Sequence, residues 1–74
     1  MNLEQKVEAI LFFKGEPVSL KKFQDILKVS KEEIQTAILN LKENLQNRGV
    51  ALIENNNEIT LGTAPEHSKL IEDL

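Results

Sequence analysis

The run Gly15-Glu16-Pro17-Val18-Ser19, set directly after the apolar Ile10-Leu11-Phe12-Phe13, constrains this chain more than any other feature. Proline has no N–H to donate, its φ is locked, and it pushes the preceding Glu16 out of the α region. Gly15 can take the positive φ that closes a helix, and the Ser19 hydroxyl can cap the first turn of a new one. One helix ends and another begins within a few residues, so the chain must turn between Lys14 and Ser19.

Upstream of the break, Leu3, Val7, Ile10 and Leu11 recur at three- and four-residue spacing and define one stripe of a helix over residues 3–14. Phe13 lies at the border of that stripe. Phe12 points well away from it and needs cover from the following turn, another helix or a partner, the simplest cover being the second helix. Downstream, Leu20, Phe23, Ile26 and Leu27 give a short second helix capped by Ser19. Ser30-Lys31-Glu32-Glu33 has capping-box spacing, in which serine and glutamate each satisfy a backbone N–H of the first turn. Ile34, Ala37, Ile38, Leu41 and Leu45 carry this third helix to about residue 47, with Gly49 as its stop and Arg48 beside the negative dipole end. Leu39 sits on its outer side.

From Val50 the apolar period falls to two. Val50 and Leu52 alternate with Ala51 and Ile53, and Ile59 and Leu61 alternate with Glu58 and Thr60. Asn55-Asn56-Asn57 between them suits a turn, because asparagine tolerates positive φ. Thr63-Ala64-Pro65-Glu66 repeats the capping-box spacing with proline in the first turn, which predicts a fourth helix carrying Leu70, Ile71 and Leu74. The predicted fold is α+β: a winged helix with a three-helix helix-turn-helix core, a two-stranded β-hairpin wing and a C-terminal helix. Residues 1–74 read as a single domain, and a chain that stops in an apolar helix reads as the N-terminal domain of a longer, two-domain protein.

Seventy-four residues bury only roughly 60% of the unfolded surface, so the core is small and a partner can matter for stability. There is no cysteine, which removes disulfides, thiolate metal sites and thiol nucleophiles and fits a cytoplasmic protein. No apolar run approaches the roughly 20 residues that span a bilayer. Nine Lys and Arg against twelve Asp and Glu give a net charge of −3, whose average field repels phosphates.

No catalytic, cofactor or metal set stands out. His67 beside Glu66 reads as a surface histidine in a first helical turn, since neighbouring helical residues diverge by about 100°. A transcriptional regulator's DNA-binding winged helix is the rival reading. Its recognition helix would present Gln35 and Asn40 to bases, but Glu32, Glu33 and Glu43 share that helix with Lys31 and Lys42 and oppose a phosphate backbone. Lys14, Lys21, Lys22, Lys28 and Lys31 form a basic rim around the second helix, read as a solvated face, so direct DNA binding is not expected. Protein interaction is left. The apolar residues that a small core cannot absorb are Phe12, Leu39, Ala51, Ile53, Leu70, Ile71 and Leu74. Scaling gives such a chain roughly 4,600 Å² of surface, of which a standard interface takes ~800 Å².

Three segments, in order, resemble the N-terminal winged-helix domain of the segregation and condensation protein B (ScpB) family. They are Val7-Glu8-Ala9-Ile10-Leu11-Phe12 with Gly15-Glu16-Pro17-Val18-Ser19, Arg48-Gly49-Val50 with Leu52-Ile53-Glu54, and Ile59-Thr60-Leu61 with Thr63-Ala64-Pro65-Glu66. Ile59 replaces the family's usual wing aromatic, Ala64 replaces a basic residue, and the family's second winged-helix domain is missing. The resemblance implies a non-enzymatic, nucleoid-associated accessory subunit of the bacterial condensin complex, acting in chromosome condensation and segregation. Its implied partners are a second copy of itself, the kleisin subunit (segregation and condensation protein A) and, through the kleisin, the SMC ATPase. Neither a small-molecule substrate nor a membrane is implied.

Overall fold

Asn2 opens the structure, a computed structural model that describes residues 2–74. Its side chain accepts from the Gln5 N–H at 2.8 Å while the Gln5 side chain accepts from the Asn2 N–H, a reciprocal cap for α1 (Leu3–Lys14). Helix α1 ends where expected: Gly15 takes φ 64° and donates its N–H to the Leu11 carbonyl. Pro17 then delivers extended backbone to β1 (Val18–Ser19), and the Ser19 hydroxyl accepts from the Lys22 N–H at 3.0 Å to start α2 (Leu20–Leu27). A left-handed Lys28 ends α2. Helix α3 (Lys31–Asn44) begins on the Ser30–Glu33 capping box, both halves of which form.

Helix α3 stops at Asn44 rather than near residue 47. Leu45 already leaves regular helical geometry, and Asn47 takes the left-handed conformation at φ 63° that Gly49 was expected to supply. The wing follows as β2 (Val50–Asn55) and β3 (Glu58–Thr63), joined by Asn56 and Asn57 at φ 52° and 65°. Two positive φ values in a two-residue loop make a type I′ turn, whose twist matches the flanking strands.

The sheet has three strands rather than two, in the antiparallel order β1-β3-β2. Val18 pairs with Ile59 and Ser19 with Glu58, and the Leu20 N–H donates to the Asn57 carbonyl at 2.9 Å. Two residues are too few to show a period, so the sequence pattern carries no signal for β1.

The last helix also departs from expectation. Thr63 is drawn into β3 opposite Val50, so it never caps, and no side chain caps the helical turn that follows. A short 3₁₀ turn, Pro65–His67, leads instead into the five-residue α4 (Ser68–Glu72), leaving Leu74 beyond its end.

The core lies where the three longer helices meet the sheet. Phe23, Leu11, Ile34, Leu41 and Val7 are its most deeply buried side chains, and Leu52, Ile59 and Val18 close it from the sheet side. Among the described residues, no polar or charged residue is buried, so the core is held by packing alone. Asn44 ties α3 to α1 at the surface, donating from Nδ2 to Glu4 Oε2 at 2.6 Å. The body measures 41 × 21 × 20 Å, an elongated shape that exposes 5520 Å², more than size scaling gives for a compact chain of this mass.

Two tests follow from the caps and the core. Phe23→Ala should cost about 3–5 kcal/mol in urea unfolding, enough to leave a domain of this size close to unfolded. Ser30→Ala should cost about 1 kcal/mol, whereas Thr63→Ala, at an equally plausible sequence signal that does not cap, should change stability by about 0.5 kcal/mol or less.

Candidate protein-interaction surface

Large apolar side chains left in solvent mark where this molecule can bind another. Their positions follow from the elements that carry them. On α1, Val7 and Leu11 claim the core face and leave the opposite face to Phe12, which is 83% exposed, and Phe13, which is 86% exposed. The second helix does not wrap Phe12. It spends its own apolar residues on the core, with Phe23 buried and Leu20 and Leu27 packed against it, and its Ile26 is itself exposed.

The wing's outer face carries Ile53, exposed, and Ala51, half-buried. Ile53 lies across Gly62: a Cβ built at Gly62 would stand 2.5 Å from its Cδ1. Leu39 projects from α3 into a cleft facing the wing tip, lined also by Ile38, Lys42, Glu54 and Ile59. Ala51 borders a second hollow with Leu45, Leu52 and Arg48, and Lys42 lines both. At the C-terminus Leu70, Ile71 and Leu74 are exposed, Leu74 almost completely. The expected residues thus fall into three groups: Phe12 on α1, Leu39 with Ala51 and Ile53 around α3 and the wing, and Leu70, Ile71 and Leu74 around α4.

Phe13, Val50 and Ile26 belong to the exposed apolar set and were missed. Phe13 was placed at the border of the helical stripe, and its neighbour Phe12 was the available signal. Val50 shares the strand face of Leu52, but only Leu52 lies under the helices. Ile26 keeps the spacing of the apolar stripe, yet it sits too far round the helix to reach the core.

Charge divides the surface. Residues 14–31 carry five lysines against Glu16 and Asp25, while the rest of the chain carries four cations against ten carboxylates. The Lys14–Glu16 pair, 4.0 Å apart and solvent-exposed on both sides, contributes little. The outer side of α3 presents Glu32, Glu33 and Glu43 in solvent beside Lys31 and Lys42. Among the described residues, no three or more of His, Cys, Asp and Glu lie where they could hold a metal ion, and no helix is long and apolar enough to cross a membrane. His67 is exposed in the 3₁₀ turn.

Known proteins share this sequence pattern and fold. The family model for segregation and condensation complex subunit ScpB matches residues 5–74. Segregation and condensation protein B of Carboxydothermus hydrogenoformans is 42% identical over 76 residues, covering all of this chain and 41% of that protein. The protein of the same name from Alkaliphilus oremlandii is 30% identical, covering 97% of this chain and 40% of its own. The chain therefore spans about two fifths of the length of these curated relatives. A crystal structure described as a dimer of the ScpB N-terminal domain complexed with a ScpA peptide superposes with a TM-score of 0.86 at 31% identity, covering 96% of this chain and 85% of the other. With the family's model matched over nearly every residue and the same winged-helix fold in its solved member, this chain belongs to the segregation and condensation complex subunit ScpB family.

Proposed function

We propose that this domain is a non-enzymatic binding module that pairs with a second copy of itself and with the kleisin segregation and condensation protein A. Through the kleisin it serves the SMC ATPase complex in chromosome condensation and segregation, in the cytoplasm and at the nucleoid. It forms the N-terminal domain of a longer protein with a second winged-helix domain. The observation that carries this reading is the solved relative, a dimer holding a ScpA peptide on the same fold.

Physical chemistry supports it from two sides. The described residues offer exposed apolar side chains on several elements, as an interaction module needs. A standard interface of ~800 Å² per partner would take about one seventh of the 5520 Å² surface, so two such contacts fit without overlapping. Phe12 and Phe13 are the largest exposed apolar side chains; as helical neighbours they diverge by about 100°, so together they spread apolar surface over the outer side of α1 that a partner can desolvate. They form the proposed homodimer seam.

Light scattering across protein concentration tests the seam. The wild-type domain should reach twice 8.4 kDa, and the double variant Phe12→Asp, Phe13→Asp should return to 8.4 kDa with an unchanged far-UV circular dichroism spectrum and a melting temperature that no longer depends on concentration. Loss of the dimer in Ile53→Asp instead would move the seam to the outer wing, and a wild-type monomer at high concentration would remove homodimerisation altogether. A gel-shift series with a short duplex at physiological salt should show no retardation. A shift that weakens steeply with added salt would favour the DNA-binding regulator.

A further inference from the structure

The outer edge of β2 is an open hydrogen-bonding template. Because the hairpin turns on Asn56 and Asn57, Asn55 and Glu58 form its closing pair, and alternation directs the N–H and C=O of Ile53, Ala51 and Gly49 toward β3. The Ala64 N–H donating to the Gly49 carbonyl at 2.9 Å fixes this phase. The N–H and C=O groups of Val50, Leu52 and Glu54 therefore point the other way, away from β3. Since β2 is an end strand, no hydrogen bond among the described residues reaches them. Native edge strands are usually blocked by lysine, proline or a bulge, and β2, Val-Ala-Leu-Ile-Glu-Asn, has neither lysine nor proline and an unbroken six-residue register with β3.

Beside this edge run the two hollows that meet at Lys42. One, of 640 Å³, has Leu39 and Ile38 on its α3 wall, and the other, of 380 Å³, is floored by Leu45 and Leu52. A strand laid along β2 would place alternate side chains over them. Leu39, Ile38, Leu45 and Leu52 offer apolar contact there, while Lys42 and Arg48 share the rims with Glu54, Glu58 and Glu66, so the hollows select for shape and apolar contact rather than for charge.

We propose that the β2 edge and the groove beside α3 take an extended segment of the kleisin as an added strand, with alternating apolar residues facing α3. This rests on the kleisin-binding function proposed above. Neither Phe12 nor Phe13 lines the two hollows, so the added strand does not use them. The main-chain bonds supply affinity and the two hollows supply selectivity.

Glu54→Pro isolates the main-chain contribution. Glu54 is exposed, and its N–H is one of the outward groups, so proline removes a donor without cutting the β2–β3 ladder. Calorimetry of the domain with the purified kleisin should show affinity reduced about tenfold or more for Glu54→Pro, against at most about twofold for Glu54→Ala, with dimer mass and melting unchanged. Leu39→Asp, on the α3 wall of the groove, should also weaken binding. Amide hydrogen exchange gives an independent reading: kleisin should slow the Leu52 and Glu54 amides, while those of Ala51 and Ile53 are already slow. Full affinity in Glu54→Pro together with unslowed Leu52 and Glu54 amides would overturn the strand addition while leaving kleisin binding intact. Loss of the dimer in Glu54→Pro would give the edge to a second copy and overturn it equally. Failure of the wild-type domain to bind kleisin would overturn the proposed partner itself, and the added strand with it.

Discussion

The pairing of Val18 with Ile59 is the contact on which the rest of this fold leans. Val18 is 4% exposed and Ile59 2%, so one backbone pairing brings two core side chains together and closes the sheet side of the helical core. It also fixes where α2 begins. The next residue, Ser19, pairs with Glu58 through its backbone while its hydroxyl caps the helix. Without this two-residue strand the wing would be a lone hairpin, which is marginal in water. With it, the wing is seated on the helices, and the cleft between α3 and the wing tip acquires two fixed walls.

What was legible in the sequence was local. The Gly15 stop, the Ser19 and Ser30 caps and the asparagine turn each depend on a few adjacent residues, and all four have the expected geometry. What was not legible depends on competition between distant segments. Thr63 carries a good capping signal, but pairing with Val50 claims it for the sheet before it can cap. The strand β1 exists only because β3 is there to receive it. For α3 the choice lay between two nearby residues able to end a helix, and Asn47 took the left-handed conformation ahead of Gly49.

The candidate surface was partly visible for the same reason. A helical wheel shows that Phe12 faces away from the α1 core stripe, but not that α2 leaves it uncovered; that depends on how α2 spends its few apolar residues. The outward backbone groups of β2 have no counterpart in residue identity at all, since they follow from register and strand order. Exposed aromatics on α1 and unpaired amides on β2 call for different chemistry, one for desolvated side chains and the other for an extended main chain. Its apolar core, free of buried polar groups among the described residues, keeps those two surfaces in fixed relation.

The closing contact joins residues 18 and 59, on either side of two whole helices. At ribosomal speeds of about 5–20 residues per second, the intervening residues take roughly 2–8 seconds to make. For that interval the emerging helices carry a greasy flank with nothing to seal it. The order of synthesis thus makes the wing a late-arriving lid on its own foundation, and the nascent chain must stay soluble until its second hairpin strand is free to dock.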